Sequence, residues 1–264
     1  MTGITVELLD LGGLRGDASW FYRDANVGTV DDPSPDHAWA DLRIYAGLIR
    51  HPQAGVLLYE AGGPPRPETD WAGEFSRSFP WTREKDERLD AALARAGHGL
   101  DDVRGIIVGH LHADHAGGIG WFRDLDVPLY VHEEELKNAF YGVATGEDTS
   151  FDHPYLDTHL DWRPVSGSHV ELFPGITLIH LPGHTPGLVG ALVELDASAP
   201  LLFVSDQLIF EDHLEGRVQG ALNRDARAWQ ASLREVRRIQ RIHGARIVFG
   251  HDPRNAERFP GTLR

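Results

Sequence analysis

The chain has 264 residues, enough to bury one large hydrophobic core, and its 41% hydrophobic and 25% charged residues are typical of a globular protein. A formal net charge of −15 repels nucleic-acid phosphates, and no apolar run approaches the roughly 20 residues that span a bilayer. The absence of cysteine excludes disulfides and thiolate metal sites. We therefore expect a single domain over residues 1–264 that binds neither nucleic acid nor membrane. A cytoplasmic location is expected because the N-terminus lacks the pattern of a secretory signal.

The first half of the chain predicts mainly β-structure. Residues 4–13 form a β-rich run that ends in a glycine pair, which predicts a strand followed by a turn. Residues 15–41 are aromatic but show no clear periodicity. Residues 42–51 and 55–63 predict a hairpin with the segment HPQAG as its turn. Residues 82–97 predict a helix, because their apolar residues fall on one face and the segment ends in glycine.

The second half of the chain repeats this organisation after an irregular, aromatic stretch at residues 138–165. The clearest helix covers residues 225–243, with Asp225 as its N-cap and Gly244 as its stop. Six further segments predict strands. Two lie before the irregular stretch, at residues 103–112 and 127–135, and four lie after it, at residues 175–187 (a strand and then a loop), 190–195, 200–207 and 245–252.

Four apolar strands end in a histidine or an aspartate, in the segments IIVGH, LIHLPGH, LLFVSD and RIVFGH. Side chains at strand ends collect along one edge of a sheet, where loops assemble a site on a rigid scaffold. The mixture of strands and helices favours an α/β fold with two sheets and helices outside them.

The segment GHLHADHAGG, residues 109–118, predicts a metal centre. His110 and His112 project to the same side of an extended loop, and Asp114 and His115 follow where the chain turns. Imidazole and carboxylate ligands without thiolate suit Zn²⁺, and also Fe, Mn or Co. Four ligands in one loop cannot complete two sites, and three strand-end residues are available to do so: His184, Asp206 and His251.

Each of these residues also has an ordinary structural interpretation. A single HxH pair is frequently a surface accident, His184 and His251 could be loop histidines, and Asp206 could cap a helix. The HxHxDH run after an apolar strand, together with three later strand-end ligands, is far harder to obtain by chance.

These motifs, over nearly the whole chain, resemble the metallo-β-lactamase superfamily, which implies an αββα sandwich with a dinuclear site between the sheets. The resemblance implies that His110, His112 and His184 hold one metal. It assigns the second metal and the bridge to four further residues: Asp114, His115 and His251 as ligands, and Asp206 between the two ions.

The branch of the superfamily is suggested by two positions. The di-iron oxygen reductases carry a glutamate where this chain has His112, and metallo-β-lactamases proper commonly carry Cys or Ser where it has Asp206. A bridging carboxylate resembles the lactonase, glyoxalase II and RNase Z branches, and the acidic surface disfavours tRNA. The LDLGG opening and the terminal GHD resemble the quorum-quenching N-acyl homoserine lactone lactonases. The chain departs from them at Ile209, where they usually carry a tyrosine.

The resemblance therefore implies a lactonase with two zinc ions per chain, in which a metal-bridging hydroxide attacks the carbonyl and Asp114 and Asp206 are catalytic. The expected partner is a small-molecule substrate, and a homodimer is compatible with the sequence. A phosphodiesterase, a thioesterase of the glyoxalase II type and a non-catalytic metalloprotein remain alternatives. The candidate substrate contacts are Trp20, Phe21, Phe140 and Ile209, and a phenol could come from Tyr22, Tyr45, Tyr141 or Tyr155.

Overall fold

The computed structural model describes residues 2–71, 74–151 and 154–264, without the side chains of Glu74, Phe75 and Thr149. The strands are β1 (Thr5–Asp17), β2 (Trp39–His51), β3 (Gly55–Tyr59), β4 (Trp81–Thr82), β5 (Val103–Ile107), β6 (Leu129–His132), β7 (Trp162–Val165), β8 (His169–Phe173), β9 (Ile176–His180), β10 (Val189–Val193), β11 (Leu201–Phe203), β12 (Arg246–Val248) and β13 (Thr262–Leu263). The α-helices are α1 (Ala18–Phe21), α2 (Pro67–Asp70), α3 (Glu74–Ser78), α4 (Leu89–Arg95), α5 (Ala113–Ala116), α6 (Glu133–Thr145), α7 (Glu211–Glu215), α8 (Ala226–His243) and α9 (Asn255–Arg258).

Two sheets form the centre of the molecule. The larger sheet has the order β13-β1-β2-β3-β5-β6-β7, with β4 paired to β1, and the smaller sheet has the order β12-β11-β10-β9-β8. The strands β3, β5, β6 and β7 run parallel to one another, and β11 runs parallel to β12. Parallel neighbours bring their carboxyl ends to one edge, which is where the strand-end histidines and aspartates lie.

The core has a layer between the sheets and a layer on each outer face. Leu201 and Phe203 of β11 pack between the sheets, whereas Leu202 packs on the outer face beside Trp229 of α8. Because successive strand residues point to opposite faces and both faces are covered, these strands are continuous apolar runs. The predicted α/β fold with αββα layering is confirmed. Within the described residues, no helix has both the length and the apolar character that crossing a membrane requires.

The structure confirms two of the predicted elements closely. The hairpin is formed by β2 and β3, which pair antiparallel with Gly47 opposite Tyr59. The helix α8 begins after Asp225, whose carboxylate accepts hydrogen bonds from the backbone N–H groups of Arg227 and Ala228 at 2.8 and 3.0 Å. It ends at Gly244 in the left-handed conformation. Both elements are specified by neighbouring residues, namely the hairpin turn and the residues that cap and end the helix, so they can be predicted from the sequence.

The structure corrects three of the predicted elements. The glycine pair at Gly12 is not a turn, because β1 passes through it as a bulge and continues to Asp17. The helix predicted over residues 82–97 covers only Leu89–Arg95, after a 3₁₀ turn at Lys85–Glu87.

The third correction concerns the strand predicted through residue 135 and the irregular stretch predicted after it. The strand ends at His132, whose imidazole accepts a hydrogen bond from the Glu134 N–H and caps helix α6. Three consecutive glutamates then favour the helix, because negative charge stabilises a helix N-terminus. The predicted irregular stretch also contains β7.

Replacing Asp225 with alanine is expected to lower the free energy of unfolding by about 1 kcal/mol, because two N–H groups of α8 lose their acceptor. Asp225→Ser, which keeps an acceptor at the cap, is the matched control. Urea unfolding followed by circular dichroism measures both variants. Equal stability of the alanine variant and the unmodified protein would show that the cap contributes nothing.

Candidate metal centre

The seven predicted ligands meet at the edge where the strands end. His110 and His112 follow β5, and Asp114 and His115 lie on the short helix α5. The others come from three later segments: His184 from the loop after β9, Asp206 from a 3₁₀ turn after β11, and His251 from the loop after β12. All but His112 and Asp114 are buried, so the site lies inside the fold with one open side.

Three histidines form the first cluster. His110 Nε2 and His112 Nδ1 lie 3.0 Å apart, and His184 Nε2 lies 2.9 Å from the same His112 nitrogen. Nitrogen ligands at about 2.0–2.1 Å from a tetrahedral metal lie about 3.3 Å from one another. The three nitrogens therefore have nearly the spacing of ligands around one ion.

The second cluster contains Asp114, His115 and His251. His115 Nε2 and His251 Nε2 lie 3.1 Å apart, and Asp114 Oδ2 lies 3.6 and 3.4 Å from them. Asp206 lies between the two clusters. Its Oδ1 is 3.2 and 3.1 Å from the second-cluster nitrogens, and its Oδ2 is 3.4 Å from His184 Nε2. One carboxylate thus presents one oxygen to each cluster.

Hydrogen bonds behind the histidines fix which ring nitrogen carries the proton. Because Ser205 Oγ donates to Glu60, the Nδ1–H of His110 donates to Ser205 Oγ at 3.1 Å. His115 Nδ1 donates to Glu60 Oε1 at 2.9 Å, and His251 Nδ1 donates to the Arg43 carbonyl at 2.9 Å. In its neutral form, each of these rings therefore presents an Nε2 lone pair to the centre. Two such lone pairs 3.1 Å apart cannot hydrogen-bond to each other, and a cation between them resolves the contact.

The electrostatics of the buried site differ between the two clusters. Burial, reinforced by the neighbouring imidazoles, holds the pKa of His110 and of His112 well below the usual value, so both rings are neutral. Burial also opposes ionisation of Asp206, but the imidazoles of His251, His115 and His184 lower its pKa well below its usual range. Burial also acts to lower the pKa of His115 and of His251, but nearby carboxylates outweigh it, namely Glu60, Asp114 and Asp206 at His115 and chiefly Asp206 at His251, so both pKa values are raised. Metal binding at the second cluster must therefore displace protons from these two imidazoles.

Comparison with known proteins identifies the family. Residues 39–251 match the model of the metallo-beta-lactamase superfamily. The chain belongs to this superfamily. Among similar proteins, the N-acyl homoserine lactonase AiiB of Agrobacterium fabrum is 28% identical over 261 residues, which cover 93% of this chain and 92% of that protein. The N-acyl homoserine lactonase AiiA of Bacillus thuringiensis subsp. kurstaki is 28% identical over 218 residues, which cover 80% and 82%.

Solved structures of the superfamily share the fold. An N-acyl homoserine lactone hydrolase with the product N-hexanoyl-L-homoserine at its catalytic metal centre superposes with a TM-score of 0.84, at 24% identity and full coverage of both chains. AidC, described as a dizinc quorum-quenching lactonase, superposes with a TM-score of 0.68 at 18% identity, covering 99% of this chain and 90% of that one. The two clusters of this superfamily member fit two metal ions.

Glu60 is a functional residue that the sequence analysis missed. It follows β3 directly, is buried, and contacts His115 Nδ1 and Ser205 Oγ. Although it is close enough to His110 and His115 to be counted with them as a ligand, it touches the ring nitrogen that faces away from Asp206. It therefore orients ligands. The sequence does contain a pattern that could have identified Glu60. It is an acidic residue at the end of an apolar strand, like the histidine or aspartate that ends each of the four strands named in the sequence analysis.

Steric crowding explains why a glycine precedes the ligands His110 and His251. A Cβ on Gly109 would lie 2.3 Å from Glu60 Oε1, and a Cβ on Gly250 would lie 2.6 Å from Asp206 Oδ1. Any side chain at these positions would displace a carboxylate that the centre needs. The glycines therefore allow the strands to approach the site closely.

Glu135 is a second residue that the sequence analysis missed. From α6 it accepts hydrogen bonds from the Leu111 N–H at 2.8 Å, from Thr185 Oγ1 at 2.7 Å and from the Gly187 N–H at 3.1 Å. It thereby ties the loop of the first histidines to the loop of His184. Burial raises its pKa, but these three donors oppose the rise by stabilising the carboxylate.

A pocket of about 190 Å³ opens onto the centre. Its lining includes the ligands His112, Asp114, His184, Asp206 and His251, and also Leu14, Phe21, Leu42, Trp71, Phe79, Ala113, Ser150, Ala221, Leu222 and Arg224. Phe21 is thus in the wall, as expected of a substrate contact. Trp20 is outside the lining and packs against Phe79, with ring centroids 5.3 Å apart.

Phe140 and Ile209, the other two expected substrate contacts, lie outside the lining of this pocket. Phe140 packs edge-on against Trp162, and Ile209 is fully buried in the hydrophobic core. The backbone carbonyl of Ile209 accepts the His251 N–H at 3.0 Å, so this residue also supports the segment of His251.

No suggested tyrosine lines the pocket among the described residues. Tyr22 donates to Asp212, Tyr45 to backbone carbonyls of the loop after His251, and Tyr141 to Glu147. Tyr155 is buried and donates to the Leu111 carbonyl at 2.5 Å, so it supports the ligand loop.

Replacing Glu60 with glutamine should weaken metal binding about 10- to 100-fold, because His115 loses a carboxylate acceptor. Metal per chain after dialysis against graded chelator measures the effect. The exposed Glu257→Gln is the control, and His112→Ala marks the loss expected when a ligand is removed. Unchanged metal retention in Glu60→Gln would exclude the orienting role.

Placing a tyrosine at position 209 should destabilise the fold by about 1–3 kcal/mol, because the position is fully buried and the ring is larger than its space. Ile209→Val, which removes one methylene, should cost about 0.5–1.5 kcal/mol. Chemical denaturation measures both variants. A fully stable Ile209→Tyr variant with higher lactone turnover would restore the expectation that position 209 serves the pocket.

Proposed function

We propose that this protein is a dinuclear zinc hydrolase that opens N-acyl homoserine lactones or related small lactones, and so acts in quorum quenching. The observation that carries the proposal is the Asp206 carboxylate, which presents one oxygen to each ligand cluster at the base of a largely apolar pocket. The similar proteins AiiB and AiiA are named lactonases, which supports the same substrate class.

Zinc fits the donor set of five imidazoles and two carboxylates without thiolate. His110, His112 and His184 would hold one ion; Asp114, His115 and His251 would hold the other, with Asp206 bridging. Two bound dications would make a water acidic enough to act as the nucleophile at neutral pH and would polarise the lactone carbonyl.

The residues of the chain then supply position and proton transfer. Asp206 fixes the spacing of the two clusters. Asp114 is the proton carrier, because its carboxylate lines the pocket with 14% of its side chain exposed and reaches both solvent and the second cluster. Phe21 and its apolar neighbours exclude water from the remainder of the substrate. Ring opening adds one water across the ester bond: the acyl C–O bond breaks, and the products are a carboxylate, an alcohol and one released proton.

The test is a substrate panel with two variants. The unmodified protein should hydrolyse homoserine lactones faster than bis-p-nitrophenyl phosphate, a thioester or a β-lactam, with proton release followed by an indicator. Asp206→Asn should lose about 100-fold or more of this activity at little cost in melting temperature, because a neutral amide cannot bridge two dications. Asp31→Asn, on the exposed surface, is the matched control. Faster cleavage of the phosphodiester or thioester would replace the lactonase with one of those activities.

A further inference from the structure

The wall of the pocket carries one guanidinium that the metal centre does not use. Arg224 lies in the segment before α8, immediately before the N-cap Asp225, and its side chain lines the pocket and is 37% exposed. Apart from the metal ligands, Ser150 and Arg224 are the polar members of the lining as far as the structure describes the chain. A few placed polar groups in an apolar pocket normally set the orientation of a ligand.

The position of Arg224 is fixed from both ends. Its backbone N–H donates to the Gly183 carbonyl at 3.0 Å, next to the ligand His184. Its guanidinium pairs with Asp148 and donates to Ser150 Oγ at 3.4 Å. A guanidinium held in this way is oriented before any substrate arrives, so it loses little side-chain entropy on binding.

The ring of Phe151 lies between the Arg224 guanidinium and the candidate metal ligand His112. Arg224 lies over the ring of Phe151 at 5.3 Å, and Phe151 stacks on the ligand His112 with ring centroids 5.1 Å apart. Phe151 is fully buried, so it separates the cation from the ligand and prevents direct contact. The cation therefore lies on the same wall as the first cluster, one aromatic ring away from it.

Within the described residues, only one nitrogen of the guanidinium, Nη2, has a protein acceptor, and Nε and Nη1 have none. An arginine that borders an apolar pocket with unused donors favours an oxygen acceptor on whatever enters. The scissile carbonyl belongs at the metals, so this acceptor must be a different oxygen of the same molecule.

We infer that Arg224 is a specificity-determining residue that binds a carbonyl oxygen of the acyl group, outside the lactone ring. The inference rests on the proposed lactonase function. The assigned substrate class is a lactone with an acylamido substituent, whose amide or 3-oxo oxygen accepts from the guanidinium while the ring carbonyl lies at the metals. Plain alkyl lactones have no oxygen at that place.

The competing explanation is structural. Arg224 covers Phe151, which packs on His112, so loss of the arginine could loosen a ligand and slow every substrate equally. The two explanations differ in their dependence on substrate. A hydrogen bond to the acyl oxygen affects only substrates that carry one, and a contact remote from the reacting carbonyl acts mainly on KM.

The experiment compares the zinc-loaded protein with Arg224→Met and Arg224→Lys on three lactones: N-hexanoyl homoserine lactone, its 3-oxo analogue and a γ-alkyl lactone of equal length. Arg224→Met should reduce kcat/KM about 10- to 100-fold for the two acylamido lactones, largely through KM, and by less than about threefold for the alkyl lactone. Arg224→Lys should retain part of the preference. The control is Arg217→Met, because Arg217 has the same 37% exposure but packs over Tyr22, outside the pocket lining.

A larger loss on the 3-oxo analogue than on the hexanoyl lactone would assign the contact to the 3-oxo oxygen, and equal losses on these two would assign it to the amide oxygen. Equal losses on all three lactones, with metal released from Arg224→Met, would overturn the inference in favour of the structural role. No loss on any lactone would also overturn it. If the unmodified protein opens alkyl lactones as fast as acylamido ones, the lactonase function stands and the inference fails. If it opens none of the three, the proposed function itself fails.

Discussion

The centre depends on one interaction, the placement of the Asp206 carboxylate between two sets of imidazoles. Its Oδ1 lies 3.1–3.2 Å from the nitrogens of the second cluster and its Oδ2 lies 3.4 Å from a nitrogen of the first. The distance between the two oxygens of one carboxylate therefore sets how far apart the clusters lie. The protein holds the residue from several sides. Gln219 donates to its backbone carbonyl at 2.7 Å, and Gly250 leaves space for its Oδ1. A shift of either sheet relative to the other would separate the two halves of the site.

This arrangement couples the metal to the stability of the fold. Burying several imidazoles and carboxylates together costs free energy unless each has a partner. The outward-facing nitrogens of His110, His115 and His251 have partners within the protein, namely Ser205, Glu60 and the Arg43 carbonyl. The inward-facing lone pairs do not have such partners, and bound cations would supply the missing interaction. Glu60 and Ser205 both adopt the left-handed backbone conformation, at φ of 62° and 46°, which is the local strain expected where function fixes the geometry.

The metal ligands and the pocket wall make separate contributions to function. The proposed ligands would supply the hydrolytic chemistry, and a fold with such a centre does not define its own substrate. Substrate choice depends on the wall, which comes from segments far apart in sequence, including Phe21, Trp71, Phe79 and Arg224. At position 209, where the resemblance drawn from the sequence implies a tyrosine, this chain has a buried isoleucine, and the polar residues of the wall other than the candidate ligands are Ser150 and Arg224.

The sequence by itself determined the elements whose signals are local. The strand ends in His and Asp, the hairpin of β2 and β3 and the capped helix α8 are each specified by residues a few positions apart, so spacing was sufficient to predict them. It also indicated which seven side chains would meet, because parallel strands bring their ends to one edge. Only the tertiary structure decided which residues stand behind and around the ligands. Glu60 acts through His115, Glu135 joins loops about 75 residues apart, and Arg224 reaches the pocket through contacts with residues 148–151. The burial of Ile209 depended on the same packing. These roles arise from contacts between distant segments, and the pattern of neighbouring residues carries no information about such contacts.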